Sequence, residues 1–290
     1  MRGLRALTIF LSALLCGPGS AGATSQDNSI TWAGCGITKK AFMAELATAF
    51  TSKTNIAINL EGGGATRGIR DAVASNIDMG GACRMTLPMS DRSELYASMH
   101  PVAWDALAII VHKDNPVSSL STQQVKDVYL GNVTNWRQLG GADAPIKLYT
   151  RRGKVSGVGY AIRQYLFQDS QTDFVSDYVV KSSGPLEKAV VADPLAIAIT
   201  GISSARKRDV KIIGFDGKLP SYENIKDGSY GMYRPLYLVT GAKPSPEVRQ
   251  FIAFARSEEG KKIMRDNGTV PHSDAMHLMA KMLVYGFGVK

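Results

Sequence analysis

The segment from Thr150 to Leu166 reads TRRGKVSGVGYAIRQYL. Two arginines, Arg151 and Arg152, come first. Gly153 and the pair Ser156-Gly157 follow, and then Val158, Ile162, Tyr165 and Leu166 recur at helical spacing. An apolar strand, Ile146 to Tyr149, leads into the segment. Strand, glycine loop and helix in that order form the unit of a parallel α/β sheet. The start of such a helix presents unpaired amides and the positive end of the helix dipole. An oxyanion placed there gains roughly 0.3–2 kcal/mol from the dipole alone. Gly157 lets the backbone approach closely, Ser156 supplies a hydroxyl, and Arg152 can fold back across the loop. Each charge-assisted hydrogen bond from a guanidinium adds about 1.5–3 kcal/mol. The plainer reading, a cap and a turn, fits the same Ser-Gly.

The same grammar runs through the N-terminal half. Ser29 to Ala33 reads as a strand, Gly34 to Ile37 as a loop, and Thr38 as the N-cap of a helix buried through Phe42, Met43, Leu46 and Phe50. Asn55 to Leu60 is a second strand. Gly62-Gly63-Gly64 breaks it, and Ala65 to Ser75 is helical. Ile77 to Met79 is a short third strand that ends in Gly80-Gly81-Ala82-Cys83-Arg84. Ligands of parallel sheets bind beyond the carboxyl ends of the strands, so these loops gather on one edge. Trp104 to His112, Ala196 to Thr200 and Leu236 to Thr240 are further buried strands. Ser121-Thr-Gln-Gln124 is a capping box, Pro185 sits in the first turn of another helix, and Pro246 to Gly260 begins a helical region. The apolar stretch from His277 to Lys290 is expected to dock on the body.

The bulk of the chain narrows the function. It has 290 residues, 44% hydrophobic and 20% charged, with a formal net charge of +9. That composition suits a globular protein with affinity for anions. Lys and Arg are scattered without a long basic run, so no nucleic-acid partner is expected. Residues 1–23 read as a cleaved signal peptide: Arg2 and Arg5, a short apolar run, and Ala21-Gly22-Ala23 as the cleavage site. The protein is therefore expected in the periplasm, with Cys16 leaving a lipoprotein as the lesser alternative. No P-loop and no G-x-S-x-G elbow is present, and the four histidines form no ligand-spaced cluster. Neither catalysis, nor a metal, nor a cofactor is expected.

At this point the chain resembles a known family. The segment LSTQQVKDVYLGNVTNWRQLGGADAPIKLYTRRGKVSGVG, with DPLAIAITGIS, YRPLYLVTG and GGGATRGIRDAVASNIDMGGACR, is similar to the phosphate-binding proteins of ABC transporters. The resemblance implies a type II-like periplasmic binding protein of two lobes, each a doubly wound, mostly parallel α/β sheet. Residues 24–105 and 234–290 would form lobe 1 and residues 106–233 lobe 2. It implies a monomer that clamps phosphate or a like oxyanion and delivers it to a transporter permease. A sensory or cell-surface protein with the same clamp is the alternative. The family's ligand positions fall at Gly36, Ile37 and Thr38, at Ala65 or Thr66, at Arg84, and at Arg152, Ser156, Gly157 and Val158.

The pattern departs in places. Val158 replaces a Thr, Gly36 a hydroxyl residue, and Arg84 an Asp that accepts a proton from phosphate. Arg84 and Arg152 facing each other would admit sulfate-like, carboxylate or phosphonate ligands. Arg151 is either a third charge or a solvated surface residue. The resemblance also makes neighbours of the first and third strands, so Cys35 and Cys83 are expected to form a disulfide. A thiol pair for a soft ligand and two unrelated buried thiols are the rival readings.

Overall fold

The computed structural model describes residues 29–285. The expected signal peptide and the last five residues of the C-terminal stretch lie outside them. The described strands are β1 (Ser29–Gly34), β2 (Ala57–Glu61), β3 (Met79–Ala82), β4 (Ser98–Val111), β5 (Ser119–Leu120), β6 (Lys147–Arg151), β7 (Tyr178–Val180), β8 (Ala196–Gly201), β9 (Lys211–Phe215), β10 (Tyr233–Thr240) and β11 (Val270–Pro271). They run β2-β1-β3-β10-β4-β8-β6-β7, with β5, β9 and β11 attached at the sides.

Two parallel cores, β2-β1-β3 and β8-β6-β7, are joined through antiparallel β10 and β4. β4 spans both. Ser98 to Ala106 pair with β10, and Leu107 to Val111 pair with β8 and β9. The molecule is thus a two-lobe α/β fold, as the alternation of strands and helices implies. The apolar run from Val102 to Val111 is buried throughout, interrupted only by Asp105.

Local chemistry places most elements. Ser121 accepts from the Gln124 amide while Gln124 returns the bond, so the capping box is formed and helix Thr122–Leu130 starts there. Ser121→Ala is expected to cost about 1 kcal/mol, read as a lower urea midpoint with an unchanged slope.

Other boundaries move. Thr38 is not an N-cap: the helix begins at Gly36 with Cys35 at the cap, and Thr38 is buried inside the first turn. β3 begins where the sequence reading ends it, and it contains Gly80 and Gly81. A Cβ on Gly80 would strike the Gly68 carbonyl, and one on Gly81 the Trp32 ring. These glycines serve close packing, not a loop. The helical region from Pro246 is two helices, Pro246–Arg256 and Glu258–Asp266, broken at Ser257. Helix His277–Tyr285 docks through Leu278 and Met282. Among the described residues no helix is long and apolar enough to cross a membrane.

Candidate functional site

The carboxyl ends of β1, β3 and β6 open into a cleft of about 220 Å³ between the lobes. Four helices point their N-termini into it, starting at Gly36, Gly64, Gly157 and Ser183. Ser156 caps one of them by accepting from the Gly159 amide at 3.1 Å. At the other three the N-cap residues Cys35, Gly63 and Ser182 make no side-chain cap bond. Their first-turn amides are therefore left for an anion.

Three cations line the same cleft: Lys40, Arg151 and Arg208. Lys40 Nζ and Arg208 Nε both lie 3.2 Å from Glu187 Oε2, and Thr200 donates to Oε1 at 2.9 Å. Glu187 is fully buried and has both oxygens engaged. Lys40 also donates to Ser204 Oγ at 2.8 Å. Arg151 donates from Nη1 to Ser183 Oγ and from Nη2 to the Lys181 carbonyl, both at 2.8 Å. Burial pushes the Arg151 pKa down, against the pull of Cys35 and Cys83. Three fixed cations against one spent carboxylate leave the wall positive, with the cationic heads already oriented. Such a wall binds an anion without paying to arrange itself.

Of the residues expected from the sequence, Gly36, Ala65, Gly157 and Val158 line the cleft. Arg152 does not. It is exposed, and its amide donates to the Val180 carbonyl at 2.9 Å. Neighbouring side chains along an extended backbone alternate in direction, so the arginine that faces inward is Arg151.

Arg84 is also turned away from the cleft. It is buried, with Nη1 and Nη2 at 2.8 and 3.0 Å from the Glu94 carboxylate. Its Nε donates to the Val155 carbonyl at 3.0 Å, and its Nη2 to Thr66 Oγ1 at 3.2 Å. Thr66 donates to the same carbonyl of Val155. Arg84 and Thr66 thus latch the two lobes behind the cleft, because a buried guanidinium must be paired. The expected pairing of Arg84 with Arg152 across the site is corrected accordingly. Ser156 is spent on its cap. Ile37 and Thr38 bury their side chains and can offer only backbone amides.

The residues missed are Lys40, Ser183, Ser204 and Arg208, while Arg151 takes the first of its two readings, a charge in the cleft. Ser182-Ser183-Gly184 ahead of Pro185 was the available signal for one more uncapped helix start. Lys40, Ser204 and Arg208 carry no local signature.

Cys35 and Cys83 meet at the cleft floor as two buried thiols with sulfurs 2.6 Å apart. Burial pushes the Cys35 thiol up, but the hydrogen bond with Cys83 and then the charge of Arg234 outweigh it and hold it below the usual thiol value. The hydrogen bond to Cys35, then burial, push Cys83 up. Beneath them Arg234 donates to the carbonyls of Cys83 and Gly157 at 3.4 and 3.3 Å, and to Asp105 at 3.2 Å.

Gly157 packs against this floor: a Cβ there would overlap Cys83 Sγ. Gly157→Ala is expected to prop the lobes apart. Overpacking of this kind costs about 1–3 kcal/mol, or roughly 5- to 150-fold in affinity. Small-angle scattering with and without anion checks it, the variant staying expanded where wild type compacts.

Residues 19–259 match the family model described as the PBP superfamily domain. The phosphate-binding protein PstS of Bacillus subtilis is 27% identical over 177 residues, which cover 60% of this chain and 58% of that one. PstS of Borreliella burgdorferi is 27% identical over 175 residues, 57% of this chain and 63% of its own. The chain thus spans less than two thirds of the length of these curated relatives. Among solved structures, a Clostridium perfringens protein described as a phosphate ABC transporter substrate-binding protein, with bound phosphate, superposes with a TM-score of 0.78 at 28% identity. That match covers 84% of this chain and 99% of that one. An ABC-type phosphate transport receptor from Vibrio cholerae gives 0.64 at 28% identity, covering 83% and 99%.

Proposed function

The chain belongs to the PBP superfamily, and on that premise we propose that it is an exported solute-binding protein. It clamps a small oxyanion, phosphate or one like it, between its lobes and hands it to an ABC transporter permease. The observation that carries this reading is the cleft itself. Three uncapped helix starts converge there with Lys40, Arg151 and Arg208. The relatives are named as binding proteins, and this chain is read as one too, acting as a monomer in the periplasm with no chemical step. Closure follows from contacts the anion makes to both lobes: amides at Gly36 and Ala65 on one side, Arg151 and the Ser183 helix on the other.

Calorimetric titration of the purified protein, unfolded and refolded to strip carried ligand, tests this. Phosphate, sulfate, arsenate and a phosphonate are the panel. Binding of at least one tetrahedral oxyanion is expected. Loss of that binding in Lys40→Ala and Arg208→Ala places the anion in this cleft. Heat from small carboxylates alone would refute the assignment.

A further inference from the structure

None of the residues lining the cleft is acidic, yet one carboxylate stands directly behind its cations. Glu187 lies one turn into the helix Ser183–Ala192, whose start faces the cleft, and its side chain is wholly buried. Its Oε2 takes both Lys40 Nζ and Arg208 Nε at 3.2 Å. Those two side chains each stay 28% exposed, and both line the cleft. Lys40 belongs to the helical turn after β1, whereas Glu187, Ser204 and Arg208 flank β8 in sequence. One dry carboxylate thus gathers a cation from each half of the molecule.

We propose that Glu187 sets the charge of the anion cleft, and so fixes how tightly an anion is held and how readily it is released. The inference rests on the oxyanion reading given above and adds the residue that governs its affinity.

Lys40, Arg151 and Arg208 bring three positive charges, and Glu187 cancels one of them. A carboxylate in solvent would be screened, but a wholly buried one is screened far less. An incoming anion must share Lys40 and Arg208 with it. Glu187 is therefore a tethered rival of the ligand. Asp105, the buried acid near the cleft floor, is balanced by Arg234 at 3.2 Å and bonded to Ser203. That pair is neutral, so the balance in the cleft falls to Glu187. A carrier that must give up its cargo needs such a rival, because three unopposed cations would hold a doubly charged ion too long.

Two contacts make glutamine the right replacement. Lys40 keeps a second anchor, Ser204 Oγ at 2.8 Å, and so stays at the cleft when Glu187 is neutral. Thr200, which donates to Oε1 at 2.9 Å, still finds an acceptor in a carboxamide. The signature lies in the ligand's charge. Removing one negative charge favours an ion in proportion to the charge that ion carries. A loss of packing or of fit carries no such proportion.

The test is calorimetric titration with sulfate and with inorganic phosphate in mildly acidic buffer, where sulfate carries two charges and phosphate one. Glu187→Gln is expected to melt below wild type. It should nevertheless bind phosphate about tenfold and sulfate about a hundredfold more tightly, roughly tenfold per ligand charge for a partly buried site. Glu187→Asp keeps the charge, so it should lose stability with no gain in affinity. Lys40→Gln alone should weaken phosphate binding about tenfold by the same measure. Adding Glu187→Gln to it removes both partners of the pair, which folds tolerate better than removing one, and should recover most of that loss. This double variant decides the matter even where Glu187→Gln does not fold. Weaker binding by Glu187→Gln, equal gains for the two ions, or a double variant as weak as Lys40→Gln would overturn the role of Glu187 and leave the oxyanion reading standing. If neither ion binds wild type or any variant, the oxyanion reading falls and the role of Glu187 falls with it.

Discussion

Arg151→Ala is expected to weaken oxyanion binding by on the order of 100-fold, because the guanidinium supplies charge-assisted bonds of about 1.5–3 kcal/mol each. The head is already fixed by Ser183 Oγ and the Lys181 carbonyl. Wild type therefore spends little entropy in using it, and the variant loses a preorganised contact. Arg151→Lys keeps the charge and loses the fork, so it should recover only part of the affinity. Arg152→Ala is the matched control. Arg152 is exposed, and surface substitutions of this kind stay within about 0.5 kcal/mol, which is about twofold in affinity. Titration calorimetry of the three variants decides the matter. A weak Arg152→Ala beside an intact Arg151→Ala would mean that the cleft is formed differently from the one described.

Glu94→Ala is expected to be the most destabilising of these substitutions. The Glu94 side chain is fully buried and receives Arg84 through two nitrogens, Arg70 Nε at 3.0 Å and the Leu87 amide at 2.7 Å. Its loss strands the buried Arg84, and breaking such a pair from one side costs about 3–5 kcal/mol. In a protein of this size that lowers the melting temperature by on the order of 10 °C. Glu94→Gln, which keeps an acceptor, should cost less.

The same residue sets an acid sensitivity. Burial pushes the Glu94 pKa up, but the bonds from Arg84, the Leu87 amide and Arg70 outweigh it and hold it below the ordinary glutamate value. A depressed folded-state pKa means that the stabilisation is present above the unfolded value, about 4.3. It is lost as pH falls through the lower folded value. Wild type should therefore lose stability steeply below about pH 4.3, and Glu94→Gln less steeply, in melts recorded across pH. Parallel slopes would show that Glu94 is not the source of this acid sensitivity.

Much of this is legible in the sequence alone. The strand-loop-helix units, the capping box at Ser121 and the glycine loops at Gly36, Gly64 and Gly157 are written in local patterns, and local patterns survive folding. What stayed hidden depends on partners far along the chain. Arg84 looks like a ligand until Glu94, ten residues on, is seen to turn back beneath it. Arg151 and Arg152 differ by one position, and only the register of β6 decides which faces the cleft. Lys40, Ser204 and Arg208 belong to segments with no signature of their own; Glu187 gathers Lys40 and Arg208, and Lys40 reaches Ser204. β3 defies strand propensity because its neighbours demand backbone without side chains.

One strand, β4, is common property of the two lobes. Its first nine residues complete one sheet and its last five the other. Neither lobe can therefore be excised as a free-standing cassette, because cutting near Asp105 would leave each half with a missing rib. Swapping lobes between relatives to trade specificities should fail for the same reason. Swapping the loops at Gly62–Ala65 and Ser182–Gly184 leaves that rib whole. An optical reporter for the anion is better grafted onto a surface turn such as that at Gly217 than spliced between the lobes.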